Sequence, residues 1–201
     1  MDSVREHVAS QAWETLLVNL DLLLEHSALR GPANGEINEL RTKGWNPEAV
    51  QKIAENRAAE EQDQSARLDQ FGSWRRGRLR DVMSARELRI EFQEMLPRTL
   101  FDHGLVFTDV FTDQLSARVF VRAMPSTEVS IELKTAWHRY RNKRWTANDI
   151  YDIDAMSVAV PYCDIVVTEK AYHHILQTAN LRKRMHTLLL RDLEELPESL
   201  E

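Results

Sequence analysis

Residues 148–170 constrain the fold more than any other part of this chain. They begin with Asp149 and Asp152, continue with apolar residues at helical spacing, and end in a β-branched run at 163–168 that Glu169 follows directly. This pattern predicts a helix with an acidic first turn, capped at Asn148, and then a short apolar strand. The two aspartates share one face of the helix, and Glu169 lies at the carboxyl edge of the strand.

A second strand is predicted at residues 187–190, after a helix over residues 170–179. A strand, a helix and a strand in this order predict a right-handed parallel unit. Short apolar runs at 105–107 and 119–121 fit either strands or buried helical turns, and their length does not decide between the two.

Helical periodicity dominates the first hundred residues. A long polar helix is predicted to begin at Pro47, and Pro97 is expected to kink or end a later one. The predicted helices cover residues 4–25, 36–43, 47–70, 73–101 and 125–140. The predicted fold class is therefore α/β, mostly helical, with a small parallel sheet in the second half. Two domains are predicted: a helical region at 1–104, built as a long helical hairpin, and an α/β part at 105–201.

Composition narrows the range of partners. The 201 residues carry a net charge of −6, which argues against general attraction to nucleic acids or anionic membranes and leaves local basic patches as the alternative. A single cysteine, Cys163, predicted to be buried in the first strand, excludes an intrachain disulfide and fits a reducing cytoplasm. Without a signal-like apolar stretch or a run of 18 apolar residues, we expect a cytoplasmic protein with no membrane contact.

The acids near the strand suggest metal chemistry. Carboxylates at the ends of a helix and a strand can hold a hard divalent cation, which supports phosphodiester hydrolysis. Asp149, Asp152 and Glu169 are the candidate ligands. The alternative is that the two aspartates only complement the helix dipole.

Residues 152–168 carry a family resemblance. Their pattern is an acid, an apolar helix containing Ala159, a short turn, and an apolar strand that ends in a threonine followed by an acid. This pattern resembles the C-terminal half of PIN-domain nucleases. The resemblance covers roughly residues 120–195. It implies that Asp152 and Glu169, with Asp149 as an additional ligand, are catalytic residues that bind Mg²⁺ or Mn²⁺.

The chain also departs from that family. PIN domains begin with a strand that ends in their first catalytic aspartate, whereas this sequence begins with an amphipathic helix. We expect a family member that lacks its N-terminal portion and is weakly active or inactive. Either a homo-oligomer or another segment would have to cover the edge of the incomplete sheet. Glu128 and Glu132 are candidates for the second acid of the family; the alternative is a solvated or dipole-complementing role.

Two stretches are rich in cations. The first alternates cations with aromatic residues, as a surface that follows phosphates and stacks on bases would. Its candidate nucleic-acid-binding residues are Lys134, Arg139, Arg141, Lys143, Arg144 and Trp145. The alternative is a basic loop with its tryptophans in the core. The second stretch, residues 74–80 with Arg86 and Arg89, either binds phosphate or pairs with the acidic helix before it.

Other active-site motifs are absent from the sequence: it contains no HExxH, zinc-ligand spacing, GxGxxG or P-loop. The prediction is a PIN-like, metal-dependent endonuclease, with RNA or single-stranded nucleic acid as its substrate. The alternative is a non-catalytic helical module that binds a protein or a nucleic acid and uses the acids as helix caps. Carboxylates that converge without a neighbouring cation would favour the nuclease.

Overall fold

A computed structural model describes residues 33–196, which are mostly helical and contain one two-stranded parallel sheet. This confirms the mostly helical α/β prediction at the coarse level. The described residues form two compact units, 33–50 and 51–196. The helix predicted at 4–25 lies outside the described residues, and the domain boundary predicted near 104 stays a prediction. No helix among residues 33–196 is both long enough and apolar enough to span a membrane.

The first two helices match their predictions closely. Helix α1 covers Asn34–Thr42 and α2 covers Pro47–Gln70. Gly44, between them, has a φ of +97°, a conformation that glycine adopts without steric cost. The side chain of Asn46 accepts a hydrogen bond from the Ala49 N–H at 3.0 Å, so the start of α2 is capped.

A single helix over residues 73–101 was predicted, and this was wrong. The chain forms a π-helical turn at Trp74–Arg78, then α3 at Leu79–Phe92 and α4 at Met95–Asp102. Helix α3 ends at Phe92, five residues before Pro97, because in a continuous helix the proline ring would clash with the carbonyl of residue 93. Pro97 itself lies in the first turn of α4, and its ring prevents α3 and α4 from forming one continuous helix.

The next segments are helical, which answers the open question about the apolar runs. Residues 105–106 precede α5, and residues 119–121 lie within α6. Pro125 opens α7 at a first-turn position, where its missing N–H costs nothing. The bounds are α5 at Phe107–Val110, α6 at Gln114–Arg122 and α7 at Pro125–His138.

Helix α8 spans Ala147–Tyr162, as the acid-rich segment predicted. Its N-cap is Thr146 and not Asn148. The Asp149 N–H donates to the Thr146 hydroxyl, and the Thr146 N–H donates to the Asp149 carboxylate, which together form a capping box. The prediction that Cys163 is buried in the strand was also wrong: Cys163 is exposed, because it follows the helix directly and precedes the strand.

The predicted parallel pair of strands is confirmed. Strand β1 covers Ile165–Val167 and pairs with β2 at Leu188–Leu190, in the register Ile165 to Leu188. Val166 is buried, while its two neighbours in β1 are half-buried. The connection contains α9 at Lys170–Thr178 and α10 at Leu181–Met185, and a 3₁₀ turn at Leu193–Glu195 follows β2.

Two apolar clusters hold the helices of residues 51–196 together. The larger one lies among α7, α8, α9 and the sheet, and includes Val129, Leu133, Ile150, Ile153, Val160, Val166, Leu176, Leu181 and Leu189. The smaller one joins α2, α3, α6 and α7 through Leu68, Leu79, Met83, Val121 and Ile131. Helix α7 contributes to both and is the centre of this part of the fold.

Candidate functional site

Asp149 is held by its own helix start. Its carboxylate accepts hydrogen bonds from both the N–H and the hydroxyl of Thr146, each at 2.8 Å. Its other oxygen lies 2.5 Å from the Lys143 ammonium. That ammonium also lies 4.7 Å from the centre of the Trp137 ring and 5.9 Å from that of Trp145. The Asp149 charge is therefore neutralised by a cation that two aromatic rings position.

Asp152 and Glu169 are exposed. Their negative charges act on the hydroxyl of Tyr172, as the charge of Asp149 does. Burial raises the pKa of the Tyr172 phenol, and the negative charges of Asp152, Asp149 and Glu169 raise it further. The Tyr172 hydroxyl is buried and has no hydrogen-bond partner among the described residues. The negative charges of all three predicted acids therefore act on the Tyr172 hydroxyl.

This arrangement does not fit a Mg²⁺ or Mn²⁺ site as it stands. Within residues 33–196, no group of three His, Cys, Asp or Glu side chains is placed to hold a metal ion. Asp149 already has a lysine and two hydrogen-bond donors, so binding a cation there would require displacing Lys143. Converging carboxylates without a neighbouring cation were the feature expected of the nuclease, and here a cation is present.

Glu128 and Glu132, the candidates for the second acid, face arginines. Arg80 donates to both Glu128 oxygens at 2.6 and 2.7 Å and to Glu132 at 2.8 Å. Arg184 donates to Glu128 as well. Glu128 is fully buried, so the solvated role considered for it is wrong. Two guanidinium groups occupy its lone pairs.

A buried ionic network joins α2, α3 and α7, and the sequence did not predict it. Glu61, Glu87, Lys134 and His138 are each at most 5% exposed. His138 contacts Glu61 at 2.8 Å, and Lys134 donates to Glu87 at 2.7 Å and lies 3.4 Å from Glu61. Arg86 donates to Glu61 at 2.5 Å. These charges are desolvated but each has a partner of opposite sign or a hydrogen bond.

Glu61 is the centre of this network. Burial alone would raise its pKa, but the hydrogen bond with His138 and the charges of Lys134 and Arg86 outweigh burial and lower the pKa to about 2. A sequence signal for the network did exist. The buried positions of α2 follow an alternating four- and three-residue spacing that includes two polar residues: Ala54, Ala58, Glu61, Ser65 and Leu68.

The two basic stretches of the sequence meet at Asp69. Arg75, from the first turn after α2, lies 2.9 Å from the Asp69 carboxylate, and Arg141, from the loop after α7, lies 4.0 Å from it. Arg75 also donates to the main-chain carbonyls of Ser65 and His138. The predicted pairing of the arginine-rich stretch with the preceding acidic helix is therefore confirmed for Arg75, and Arg86 pairs in the same way with Glu61.

The predicted nucleic-acid-binding residues divide into core and surface. Lys134 and Trp145 are buried, and Lys143 is held against Asp149. The exposed members are Arg139, Arg141 and Arg144. Nearby aromatic residues are exposed too: Phe71 and Trp74 stack with ring centres 4.8 Å apart, and Tyr140 precedes Arg141. We call residues 69–76 and 139–144 the basic-aromatic surface.

The resemblance to PIN-domain nucleases stays a prediction from the residues quoted for it. No protein-family model, no curated protein and no solved structure matches the chain.

Proposed function

We propose that the protein is a non-catalytic helical module that binds single-stranded nucleic acid through the basic-aromatic surface. The observation that carries this proposal is the meeting of Arg75 and Arg141 at Asp69, which joins two basic stretches that are distant in the sequence. Each stretch has at least one exposed arginine and one exposed aromatic ring, and their meeting at Asp69 joins these groups into one surface.

The chemistry of this surface suits a single strand. Arg76, Arg139, Arg141 and Arg144 offer cations to phosphates, and their charge is local in a chain whose net charge is −6. Exposed aromatic rings stack on unpaired bases, whereas the bases of a duplex are already stacked on one another. The stacked pair of Phe71 and Trp74 gives a wide apolar face for this contact.

The state of the predicted catalytic acids supports a non-catalytic role. Asp149 caps α8 and pairs with Lys143. Glu169 precedes α9 as its N-cap residue, where its side chain makes no capping hydrogen bond but its charge complements the helix dipole. Acids with these roles stabilise helix starts without any metal. Structural duties of this kind explain why acids collect at this end of the sheet.

The test measures binding of a fluorescent single-stranded RNA by anisotropy over a series of salt concentrations. The triple variant Arg139→Gln, Arg141→Gln, Arg144→Gln should bind at least about tenfold more weakly at low salt, and its slope of log affinity against log salt should fall by about 2, since each lost phosphate contact on a single strand contributes about 0.7. Trp74→Ala should weaken binding by about tenfold with little change in slope, because it removes stacking and not charge.

The matched control removes the same charge elsewhere. Arg98, Arg122 and Arg182 are exposed arginines outside the basic-aromatic surface, and the triple glutamine variant at these positions should retain most of the affinity. Equal weakening in the two triple variants would contradict the proposal, because binding would then follow net charge and not this surface. Binding that is unchanged in the first triple variant would contradict it too.

A metal-dependent ribonuclease of PIN-like type is the second candidate, and one observation favours it. Asp149, Asp152 and Glu169 all lie close enough to Tyr172 to raise its pKa. The test measures cleavage of the same RNA in the presence of Mn²⁺, by the wild-type protein and by Asp152→Asn. This substitution removes the charge of a predicted metal ligand and keeps the shape of its side chain. Cleavage that depends on Mn²⁺ and disappears in Asp152→Asn would replace the non-catalytic proposal with the nuclease. Intact RNA with both proteins is the result we expect.

A further inference from the structure

A cavity of about 770 Å³ opens among helices α3, α4, α5 and α6, away from the basic-aromatic surface. Its walls are mainly apolar and aromatic. The largest side chains that line it are Leu88, Phe92, Leu96, Phe107 and Phe111. Phe107 and Phe111 pack with ring centres 4.5 Å apart, and Phe111 contacts Phe120 edge to face at 5.1 Å. The wall is thus built of packed rings.

The volume and the chemistry of the walls are those of a small-molecule site. Such sites occupy roughly 300–1,000 Å³ and combine apolar walls with a few polar groups that orient the ligand. The volume of this cavity lies within that range. This favours one small molecule over the helix of a partner protein, which would lie across a wider surface.

The charges at the cavity are unbalanced. Its charged lining residues are three arginines and one aspartate. The aspartate, Asp81, is occupied: Arg118 donates to both of its oxygens at 2.9 and 3.1 Å, and Gln114 donates to it at 3.0 Å. The side chains of Arg78 and Arg89 are exposed, and their guanidinium groups make no hydrogen bond or ion pair with the residues that the structure describes. Two arginines without a protein anion therefore line the mainly apolar cavity.

These two arginines are far apart along the helix. They are 11 residues apart, which corresponds to about 16 Å along a helical axis. The cavity follows this face of α3, since lining residues recur along it at helical spacing: Arg78, Asp81, Ala85, Leu88 and Phe92. A ligand that fills the space is therefore elongated.

Ser84 is a further polar group at this site. It lines the cavity between the two arginines in sequence, is more than nine-tenths buried, and its hydroxyl has no hydrogen-bond partner among the described residues. A buried hydroxyl without a partner is destabilising, because it has lost its hydrogen bonds to water. An acceptor brought in by a ligand would satisfy it.

We propose that this cavity binds an elongated amphipathic anion of the class of long-chain carboxylates. The hydrocarbon chain packs along Leu88, Phe92 and Phe111, and the carboxylate pairs with the guanidinium of Arg78 or Arg89. The site shares no lining residue with the basic-aromatic surface, so the two proposals stand or fall separately.

Laurate, used below its critical micelle concentration, is the probe, and isothermal titration calorimetry measures its binding to the full chain. Saturable binding is expected. The double variant Arg78→Gln, Arg89→Gln should bind laurate at least about tenfold more weakly, because a hydrogen bond to a charged group contributes roughly 1.5–3 kcal/mol. Dodecyltrimethylammonium, with the same chain and the opposite charge, should bind at least about tenfold more weakly than laurate to the wild type.

Two pairs of variants separate the cavity from general effects. Arg76→Gln removes an exposed arginine of the same turn that does not line the cavity, and it should leave laurate affinity unchanged. Ala85→Trp fills the cavity from an exposed lining position and should abolish binding. Ala155→Trp, at an exposed position of α8, is its control for bulk and should not affect binding.

Three results would overturn the proposal. One is the absence of saturable laurate binding. Another is laurate affinity that is the same in the wild type, the arginine double variant and Ala85→Trp. The third is binding of an acidic amphipathic helical peptide when laurate does not bind, which would assign the cavity to a protein partner.

Discussion

Helix α7 packs against the rest of the protein through two interfaces of opposite chemistry. Towards α8 it presents Val129 and Leu133, which lie in the larger apolar cluster. Towards α2 and α3 it presents Lys134 and His138, which meet the buried Glu61 and Glu87 beside the smaller apolar cluster that contains Ile131. Adjacent residues, 133 and 134, thus belong to an apolar core and to an ionic network.

The two interfaces are expected to fail in different ways. Apolar burial is roughly proportional to the area removed from water and has no preferred direction. A buried ion network depends on each partner, because removing one leaves another charge desolvated and unpaired. The apolar interface should therefore lose stability in proportion to the atoms removed, whereas the ionic interface should respond to charge and pH.

The largest expected effect comes from removing the centre of the ionic network. Glu61→Ala leaves Lys134, His138 and Arg86 without their shared carboxylate and should lower the free energy of unfolding by about 3–5 kcal/mol. Urea denaturation followed by circular dichroism measures it. The neighbouring Glu60, 63% exposed and 4.0 Å from Arg86, is the matched control, and Glu60→Ala should cost less than about 0.5 kcal/mol. Similar losses in the two variants would remove the distinction between a buried network and a surface one.

The apolar interface is tested at Ile153, which is fully buried in α8. Ile153→Ala should cost about 3 kcal/mol, from the lost transfer of its methyl groups and the cavity left behind. Val158, on the same helix and 60% exposed, is the control, and Val158→Ala should change stability by less than about 0.5 kcal/mol. The cost at Ile153 should be the same at pH 7 and at pH 4, since no charge is involved; a cost that varies with pH would contradict the comparison.

Acid should weaken the ionic interface selectively. The pKa of Glu61 lies at about 2 in the folded protein, below its ordinary value of 4.5. Since the folded pKa is the lower one, this stabilisation is complete above pH 4.5 and is lost as pH falls from there towards 2. The gap corresponds to at most about 3 kcal/mol.

Denaturation of the wild type and of Glu61→Gln at several pH values between 6 and 2.5 measures this contribution. Glu61→Gln should be less stable at neutral pH and should lose less stability on acidification. Parallel pH profiles for the two proteins would show that another carboxyl group controls acid unfolding.

The smallest change in stability is expected when a whole pair is replaced. Lys134→Leu alone leaves the buried Glu87 with a hydrogen bond from Ser130 and with Arg86 at 3.8 Å, and should cost about 3 kcal/mol. Adding Glu87→Leu removes the stranded charge and places apolar side chains in the same space. The double variant should lie within about 1 kcal/mol of the wild type. A double-mutant cycle measures the coupling, and additive losses would mean that the two residues do not act as a pair.

Local features of the fold followed from the sequence. Pro47 after Asn46 predicted the start of α2, and the start signal at residues 125–127 predicted α7, whose end lies two residues before the predicted one. The paired strands were also predicted, because a strand, a helix and a strand in this order form a parallel unit. Each of these depends on residues that are close together in the chain.

The break between α3 and α4 shows where local reasoning was incomplete. Pro97 was expected to act at its own position, but the interruption lies around residue 93, one turn earlier. The reason is still local, because the proline ring meets the carbonyl four residues before it. The N-cap at Thr146 is similar, since the threonine and Asp149 form a reciprocal pair that Asn148 cannot make.

The candidate sites depended on distant neighbours. The convergence of Asp149, Asp152 and Glu169 on one metal site stays a prediction, and the lysine that neutralises Asp149 was assigned to a nucleic-acid surface. Arg75 and Arg141 meet at Asp69 although they are 66 residues apart in the chain. The sequence lists the charged groups but not which of them face each other.

The sequence by itself determined the helices, the pair of strands and the amphipathic faces, because hydrogen bonding within a helix and side-chain periodicity act over a few residues. Only the tertiary structure decided which charges are buried and which are exposed. Glu60 and Glu61 are neighbours of the same type, yet one is solvated and the other lies at the centre of the ionic network. The difference arises because a buried charge is stable only where the fold brings partners to it, and those partners come from α3 and α7.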